Sequence, residues 1–183
     1  MLILWSQANI IINSQRHACL TDYGLGLIYS SSNLGIAATP TAVGTSRWIA
    51  PEVTNPQKFW EVILGRPKVI ESKVADVFAF AMVGVEVFTC KLPFWQLRNE
   101  AVVLYIAAGR RPEKPEDAES VGLTDEMWKH LKKCWHQNHK HRPAAEEIVQ
   151  KWQGFIQEGV QEGSDPDGPL QQQLGKFFIL REF

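Results

Sequence analysis

Two short apolar runs near the start of the chain are separated by polar residues. Residues 10–12 and 18–21 are mostly apolar or β-branched, and the residues between them read NSQRH. Apolar runs of this length on either side of a short polar loop are typical of a β-hairpin. The pattern therefore predicts two antiparallel strands joined by a short loop.

A longer, almost wholly apolar segment occupies the middle of the chain. Residues 74–88 read VADVFAFAMVGVEVF, in which Asp76 and Glu86 are the charged residues. A helix that is apolar on nearly every face belongs in the interior of a protein. The pattern predicts a buried central helix that ends before Pro93, because proline cannot continue a helix.

Shorter helical patterns follow in the second half of the chain. Residues 100–108 predict a helix that stops at Gly109. Thr124 is a predicted N-cap, and the helix behind it places its apolar residues on one face. Pro143 is predicted as the first residue of the next helix. Together these patterns indicate a mainly α fold with one short hairpin.

Two segments lack a sustained period. Residues 23–49 are rich in Gly, Ser and Thr, and a loop of that length in a compact domain is usually functional. After Trp152 the chain becomes rich in Gly, Gln, Asp and Pro, which predicts a flexible tail over residues 154–183. Residues 1–153 are therefore expected to form one domain.

Composition narrows the class of protein. The 183 residues are 45% hydrophobic and 21% charged, with a net charge of −1, so nucleic acid and anionic membranes are poor partners. Cys19, Cys90 and Cys134 each lie in an apolar stretch, which is typical of reduced core cysteines. The initial MLILW lacks a basic lead and is too short to span a bilayer. We expect a soluble, cytoplasmic protein.

The open end of the predicted hairpin carries two oxygen-bearing side chains. Asn9 precedes the first strand and Asp22 follows the second, so antiparallel pairing would bring them side by side. Amide and carboxylate oxygens suit Mg²⁺, which keeps most of its shell for phosphate and water. The alternative is an asparagine cap and an aspartate turn residue, since both types are common turn formers.

The order of motifs along the chain resembles the C-terminal lobe of a protein kinase, over roughly residues 8–153. It reads N…DYG…GTSRWIAPE…DVFAF…LPF…CW…RP. The RWIAPE and CW…RP motifs are similar to those of the tyrosine-kinase-like group, whose members mostly phosphorylate Ser and Thr. The resemblance implies a helical large lobe with a buried central helix, and an activity that transfers phosphate from ATP to protein.

The same resemblance assigns roles at the hairpin and in the activation segment, residues 22–52. Asp22 and Asn9 match the Mg²⁺ ligands, and Gly24 completes the nucleotide-binding triplet in which Tyr replaces the usual Phe. Thr45 and Trp48 match residues that shape the loop for the protein substrate. The segment also holds hydroxyls that phosphorylation could use, although they equally reflect its composition: Ser30, Ser31, Ser32, Thr39, Thr41 and Thr45.

Three further positions match architectural residues of the family. Glu52 resembles the carboxylate that pairs with the arginine before the last helices, here Arg142. Asp76 resembles the aspartate that accepts backbone N–H bonds from the catalytic loop. The resemblance therefore implies a buried ion pair between residues far apart in sequence.

The pattern departs from the family before Asn9. The kinase catalytic loop reads His-Arg-Asp-x-x-x-x-Asn, and its Asp accepts the proton of the substrate hydroxyl. The matching position here is Leu4, and no carboxylate precedes Asp22. A glycine-rich loop and the strand lysine that holds the ATP phosphates are also missing from the sequence. We expect the chain alone to be catalytically inactive, with ATP binding that requires an added N-terminal lobe.

Two origins remain open at this point. Residues 1–8 could be a misread stretch with an intact kinase gene upstream. Alternatively, the chain is a truncated pseudokinase that binds a protein partner, acting as an interaction or scaffold module. An open frame upstream that encodes the missing motifs would favour the first origin.

Two other segments offer competing chemistry. The stretch between Glu52 and Asp76 is longer than in most kinases, and Lys58, Phe59, Trp60, Arg66 and Lys68 could form a docking surface or simply pack on the lobe. The CWHQNHKH segment superficially resembles a zinc site through Cys134, His136, His139 and His141. Helical spacing directs the Cys134 thiol to the core, however, which separates it from the histidines.

Overall fold

The structure is a computed structural model of the chain. It describes residues 9–15, 18–21, 46–54, 62–63, 66–67 and 72–162. Within these residues the protein is mostly helical, with two small antiparallel sheets. The mainly α fold class predicted from the sequence is therefore confirmed.

The predicted hairpin near the start of the chain is present. Strand β1, Ile10–Ile12, pairs antiparallel with β2, Ala18–Leu20, in a register that sets Ile11 opposite Cys19. The Ile11 side chain is half exposed, whereas Leu20 is buried in the core. One face of the hairpin is thus attached to the helical body, and the other remains accessible.

A second hairpin lies in the stretch that the sequence singled out as unusually long. Strand β3, Val62–Ile63, pairs antiparallel with β4, Arg66–Pro67. The two-residue spacing between the strands is the shortest that a hairpin loop commonly has. The other residues proposed as a docking surface, Lys58 to Trp60 and Lys68, lie outside the described residues, so that hypothesis stays a prediction.

The described residues form five α-helices. They are α1 (Pro51–Thr54), α2 (Ser72–Thr89), α3 (Asn99–Ala107), α4 (Asp125–Cys134) and α5 (Ala145–Glu162), with a short 3-10 helix over His139–His141. The helix ends follow local sequence signals. Gly109, with φ of +81°, adopts the left-handed conformation just after α3, as its position predicts. The Thr124 side chain accepts a hydrogen bond from the Met127 N–H at 3.2 Å and caps α4.

Helix α2 forms the centre of the hydrophobic core, as the apolar pattern predicts. Phe78 and Met82 are fully buried, and the residues between them are also enclosed. Gly84 lies where α2 passes α4, because a methyl group at this position would come within 2.7 Å of a Leu131 methyl carbon. The small residue therefore allows the two helices to approach closely.

Helix α5 differs from its prediction at both ends. It begins at Ala145 rather than at Pro143, and it continues to Glu162. Phe155 and Ile156 are 5% and 9% exposed and belong to the core, and the Phe155 ring packs edge-on against Trp152 at 5.6 Å between centroids. These side chains extend the buried face of the helix past residue 153, where the sequence predicts that a flexible tail begins, and the character of residues 163–183 stays a prediction.

None of the helices among the described residues is both long enough and apolar enough to cross a membrane.

Candidate functional site

The first hairpin brings Asn9 next to the residue that precedes Asp22. The backbone N–H of Thr21 donates to the Asn9 carbonyl at 2.8 Å, which extends the strand pairing by one residue. Asp22 follows directly in the chain but lies outside the described residues, as do Leu4, Gly24 and Thr45. The hairpin geometry proposed for the metal ligands is therefore seen up to Thr21, and the assignment of Asp22 stays a prediction.

Trp48 lies in a buried segment that leads into α1. It is 5% exposed, and its indole group faces Glu86 of α2. Burial raises the pKa of Glu86 from 4.5 to about 7, while the Trp48 N–H partly offsets this by favouring the ionised form. Neither Trp48 Nε1 nor Glu86 Oε2 has a hydrogen bond of good geometry among the described residues. The segment that was predicted to shape the substrate loop thus rests on a carboxyl group that is poorly solvated.

Arg47, the residue before Trp48, is a structural anchor that the sequence analysis missed. Its guanidinium donates three hydrogen bonds of 2.7 Å to the carbonyls of Pro93, Phe94 and Leu97. Burial lowers the pKa of Arg47, but an arginine remains protonated in proteins. One side chain therefore fixes the loop between α2 and α3 to the segment before α1. Carbonyl partners leave no signal in the sequence, since every residue has one.

Glu52 and Arg142 form the ion pair that the family resemblance implies. The Arg142 guanidinium donates to both Glu52 carboxylate oxygens, at 2.6 and 2.8 Å, and both side chains are 0% exposed. Arg142 also donates to the carbonyls of Val74 and His136, at 2.7 and 2.9 Å. The pair thus ties α1, α2 and the segment after α4 together, with the hydrogen-bonding capacity of the buried guanidinium largely satisfied.

A second arginine, which the sequence analysis also missed, completes this cluster. The guanidiniums of Arg111 and Arg142 lie 5.0 and 5.1 Å from the centre of the Phe78 ring. Arg111 donates to the carbonyl of Trp135 at 2.8 Å. Burial, and to a smaller extent the charge of Arg142, lower the pKa of Arg111 to about 10, whereas Glu52 acts in the opposite direction. The adjacent Arg110 and Arg111 in GRRP look alike in sequence, and only burial distinguishes them.

The other residues that the sequence analysis singled out lie in different environments. Asp76 lies in the first turns of α2 and is partly exposed. Cys134 is fully buried, and burial raises the pKa of its thiol to about 12. His136 and His141 are exposed, with their rings 4.8 Å apart. The thiol and the imidazoles thus face different environments, and no group of three metal-binding side chains occurs among the described residues.

The hydroxyls proposed as phosphorylation sites, Ser30 to Thr45, lie outside the described residues and stay predictions.

Comparison with known proteins identifies the family of the chain. A model of the protein tyrosine and serine/threonine kinase family matches residues 6–152. This covers most of the chain, and the chain therefore belongs to the protein tyrosine and serine/threonine kinase family.

Individual relatives match this chain over most of its length. The chain is 34% identical over 144 residues to a protein of Acanthamoeba polyphaga mimivirus that is named a serine/threonine-protein kinase/receptor; the match covers 79% of this chain and 8% of the relative. It is 28% identical to serine/threonine-protein kinase STY17 of Arabidopsis thaliana, over 82% of this chain and 23% of the relative. Ephrin type-A receptor 6 of Rattus norvegicus is 27% identical over 77% of this chain and 12% of the receptor. The chain thus spans a small part of the length of these relatives.

Proposed function

We propose that residues 1–153 are the helical C-terminal lobe of a protein kinase domain whose family activity is ATP-dependent phosphorylation of Ser or Thr in proteins. The observation that carries the proposal is the hydrogen bond from the Thr21 N–H to the Asn9 carbonyl, at 2.8 Å. Asp22 is the next residue in the chain after Thr21, the last residue of that pairing. A metal site built from Asn9 and Asp22 needs this proximity.

The donor set of the proposed site suits Mg²⁺ with ATP. Asn9 contributes an amide oxygen and Asp22 a carboxylate, both hard ligands, and Gly24 follows in the same triplet. When bound, Mg²⁺ neutralises charge on the phosphate oxygens. The role of the chain's own residues is to hold the metal-bound nucleotide against the end of the hairpin.

The protein-substrate side of the proposal involves the segment around Trp48. Thr45 and Trp48 would shape the surface on which a substrate segment lies. Support comes from the anchoring of this segment on both flanks, by Arg47 to the loop before α3 and by Glu52 to Arg142. A substrate loop that is held in place in this way loses little conformational entropy when a peptide binds.

The chain by itself is proposed to be catalytically inactive. Leu4 occupies the position of the family's catalytic base, and a leucine cannot accept a proton. The sequence given also lacks the glycine-rich loop and the lysine that hold the ATP phosphates. Phosphoryl transfer depends almost entirely on positioning and electrostatic stabilisation, so both losses act on the same step.

A chimera tests the lobe and site assignments. The chain from Trp5 onward is fused behind a segment that supplies a glycine-rich loop and the strand lysine and that ends with the His-Arg-Asp of a catalytic loop. This junction keeps four residues between that Asp and Asn9. We expect the chimera to gain thermal stability with Mg·ATP and to phosphorylate a general protein substrate. Asp22→Ala should abolish both effects, whereas Asp117→Ala, at an exposed loop position, should leave them intact. A correctly folded chimera without any response to Mg·ATP would contradict the assignment.

The unmodified chain is the matching test of inactivity. We expect no thermal shift with Mg·ATP and no phosphate transfer to casein. Transfer by the unmodified chain that Asp22→Ala removes would disprove the proposed inactivity.

Leu4 also favours a second candidate, a pseudokinase that serves as a protein-interaction or scaffold module. The nucleotide sequence upstream of the coding region distinguishes the two. An open frame that encodes the missing motifs supports an enzyme, and stop codons in that region support the interaction module.

A further inference from the structure

Most of the large apolar side chains exposed in the described part of the chain lie in one short region. Leu92 and Trp95, in the loop before α3, are 40% and 56% exposed, and Leu104 and Tyr105 of α3 are 71% and 46% exposed. We call these four residues the α3 surface. Single exposed apolar residues are normal, but a group of them marks an interaction site.

The loop and the helix contribute to one continuous surface. The Phe94 ring contacts the Tyr105 ring edge-on, with 6.4 Å between centroids. Phe94 is adjacent to Trp95 in the chain, and Tyr105 is adjacent to Leu104. The exposed residues of the loop therefore lie beside those of the helix rather than on a separate part of the protein.

The loop that presents Leu92 and Trp95 is held in one conformation. Arg47 binds three of its carbonyls from the interior, and Pro93 is fully buried. Phe94 has a φ of +55°, which a non-glycine residue adopts only when its surroundings impose it. A surface that is ordered before binding loses little entropy on association, so its apolar side chains can contribute more of their contact energy to affinity.

The charges around the α3 surface are mostly basic. Lys91 lies over the Trp95 ring at 5.1 Å, and Arg98 and Arg110 are exposed at the two ends of α3. Glu100 is the one acidic residue between Lys91 and Arg110. These three basic side chains form no salt bridge with another described residue. A binding partner with negative charges would therefore be complementary to this region.

We propose that the α3 surface binds a segment of a partner protein in which acidic residues flank aromatic or aliphatic anchors. The apolar anchors would contact Trp95 and Leu104, and the acidic residues would pair with Lys91, Arg98 and Arg110. A second copy of this chain is a poorer match. Its exposed acidic stretch, residues 113–120, carries no large apolar side chain that could serve as an anchor.

A designed peptide tests the proposal directly. The probe is a fluorescein-labelled synthetic peptide that alternates Asp and Glu with Leu and Trp, and its binding to the full chain is measured by fluorescence anisotropy. Two matched peptides replace either the acidic residues with Lys or the apolar residues with Ala. We expect the acidic–apolar probe to bind, with affinity that falls as salt is added, and both matched peptides to bind at least about tenfold more weakly.

Variants of the chain locate the binding site. Trp95→Ala and Leu104→Ala should each lower the affinity for the probe by about tenfold or more. Arg98→Glu with Arg110→Glu should reverse the preference towards the Lys-containing peptide. Matched controls are Ile11→Ala, an exposed apolar residue outside the α3 surface, and Lys132→Glu with Lys133→Glu on α4, which should leave binding unchanged. Circular dichroism and thermal unfolding verify that every variant is folded.

Four results would overturn the proposal. Equal binding of the acidic and basic peptides would show that charge does not contribute to recognition. Unchanged affinity in Trp95→Ala would show that the probe does not bind at the α3 surface. Sedimentation that shows a dimer lost in Trp95→Ala would assign the surface to a second copy. A chain that ends at Glu162 and binds the probe at least about tenfold more tightly would assign it to the chain's own C-terminal segment.

Discussion

At the scale of single residues, the protein contains two kinds of buried acidic side chain. The Glu52 carboxylate receives two hydrogen bonds from Arg142 and is fully buried. The Glu86 carboxyl is also buried, but it has only a weak interaction with Trp48. Burial of a charge costs several kcal/mol unless a partner compensates for it. We therefore expect removal of the two charges to have opposite effects on stability.

Removal of one partner of the buried pair should be strongly destabilising. Glu52→Ala leaves the Arg142 guanidinium enclosed without its counter-charge, which should lower the free energy of unfolding by about 3–5 kcal/mol. Urea denaturation measures this change. The matched control is Glu126→Gln, which removes the acidic partner of the exposed Lys129 pair and should cause no measurable change. A loss from Glu52→Ala as small as that control would contradict the structural role of the pair.

Glu86 predicts a pH-dependent effect. Because its pKa is about 7 in the folded protein against 4.5 for an unperturbed glutamate, the folded state binds the proton more tightly. The contribution of Glu86 to stability is therefore complete below about pH 4.5 and is lost as the pH rises through about 7. Glu86→Gln mimics the protonated form, so its stability relative to the wild type should rise by about 1–3 kcal/mol between pH 5 and pH 8.

His130 makes the comparison with the wild type necessary. Burial lowers the pKa of this imidazole to about 4, so its own contribution is lost as the pH falls below about 6.5. This opposes the Glu86 effect in acidic solution but is common to both proteins, and it cancels in the difference. Urea denaturation at each pH supplies the values. A difference between Glu86→Gln and the wild type that does not vary with pH would show that Glu86 titrates normally.

At the scale of secondary-structure elements, the approach of α2 to α4 depends on a glycine. The space at Gly84 is occupied by the Leu131 side chain, which is fully buried and cannot move into solvent. Gly154 in α5 is also helical, yet it has no atom within 4 Å of a methyl group placed there. The two glycines therefore separate the effect of helix propensity from the effect of packing.

Alanine at these two positions should change stability in opposite directions. Gly154→Ala should raise the free energy of unfolding by up to about 1 kcal/mol, because alanine is the better helix former. Gly84→Ala gains the same propensity but forces Leu131 out of place, and overpacking of this kind costs about 1–3 kcal/mol. Urea denaturation compares them, and Leu131→Val in the Gly84→Ala background should recover part of the loss. Stabilisation by both alanines would contradict close packing at Gly84.

At the scale of the whole molecule, the body of the protein extends past the boundary that composition suggests. Phe155 and Ile156 belong to the core, and the Phe155 ring lies against Trp152 and His130. The end of α5 therefore contributes to the same core as α2 and α4. The kinase resemblance ended at about this point, and so it gave no reason to continue the domain further.

Two truncations test the boundary. A chain that ends at residue 153 loses both apolar side chains, whereas a chain that ends at Glu162 retains them. Because burial of each side chain is worth about 1.5–3 kcal/mol, the shorter chain should be less stable than the longer by about 3–5 kcal/mol. Thermal unfolding and urea denaturation of the two chains measure this difference. Equal stability of the two chains would place the domain boundary at residue 153.

The local features of the fold could be predicted from the sequence alone. The hairpin, the buried helix α2, the glycine after α3 and the Thr124 cap each depend on residues that are close together in the chain. Alternation, helical periodicity and capping are local, so their signals can be read from a short window. The family followed from the order of motifs, which the comparison with known proteins confirmed.

Contacts between distant residues required the tertiary structure. Arg47 binds carbonyls 46 to 50 residues away, and Glu52 binds an arginine 90 residues away. The resemblance implied the second contact, but no pattern in the sequence indicated the first. The raised pKa of Glu86 and the burial of Phe155 likewise result from the packing of segments that are distant in the sequence. The sequence thus determines which elements form and to which family they belong. The packing of those elements decides which charges are buried and which apolar side chains remain exposed, because burial depends on every segment that surrounds a residue.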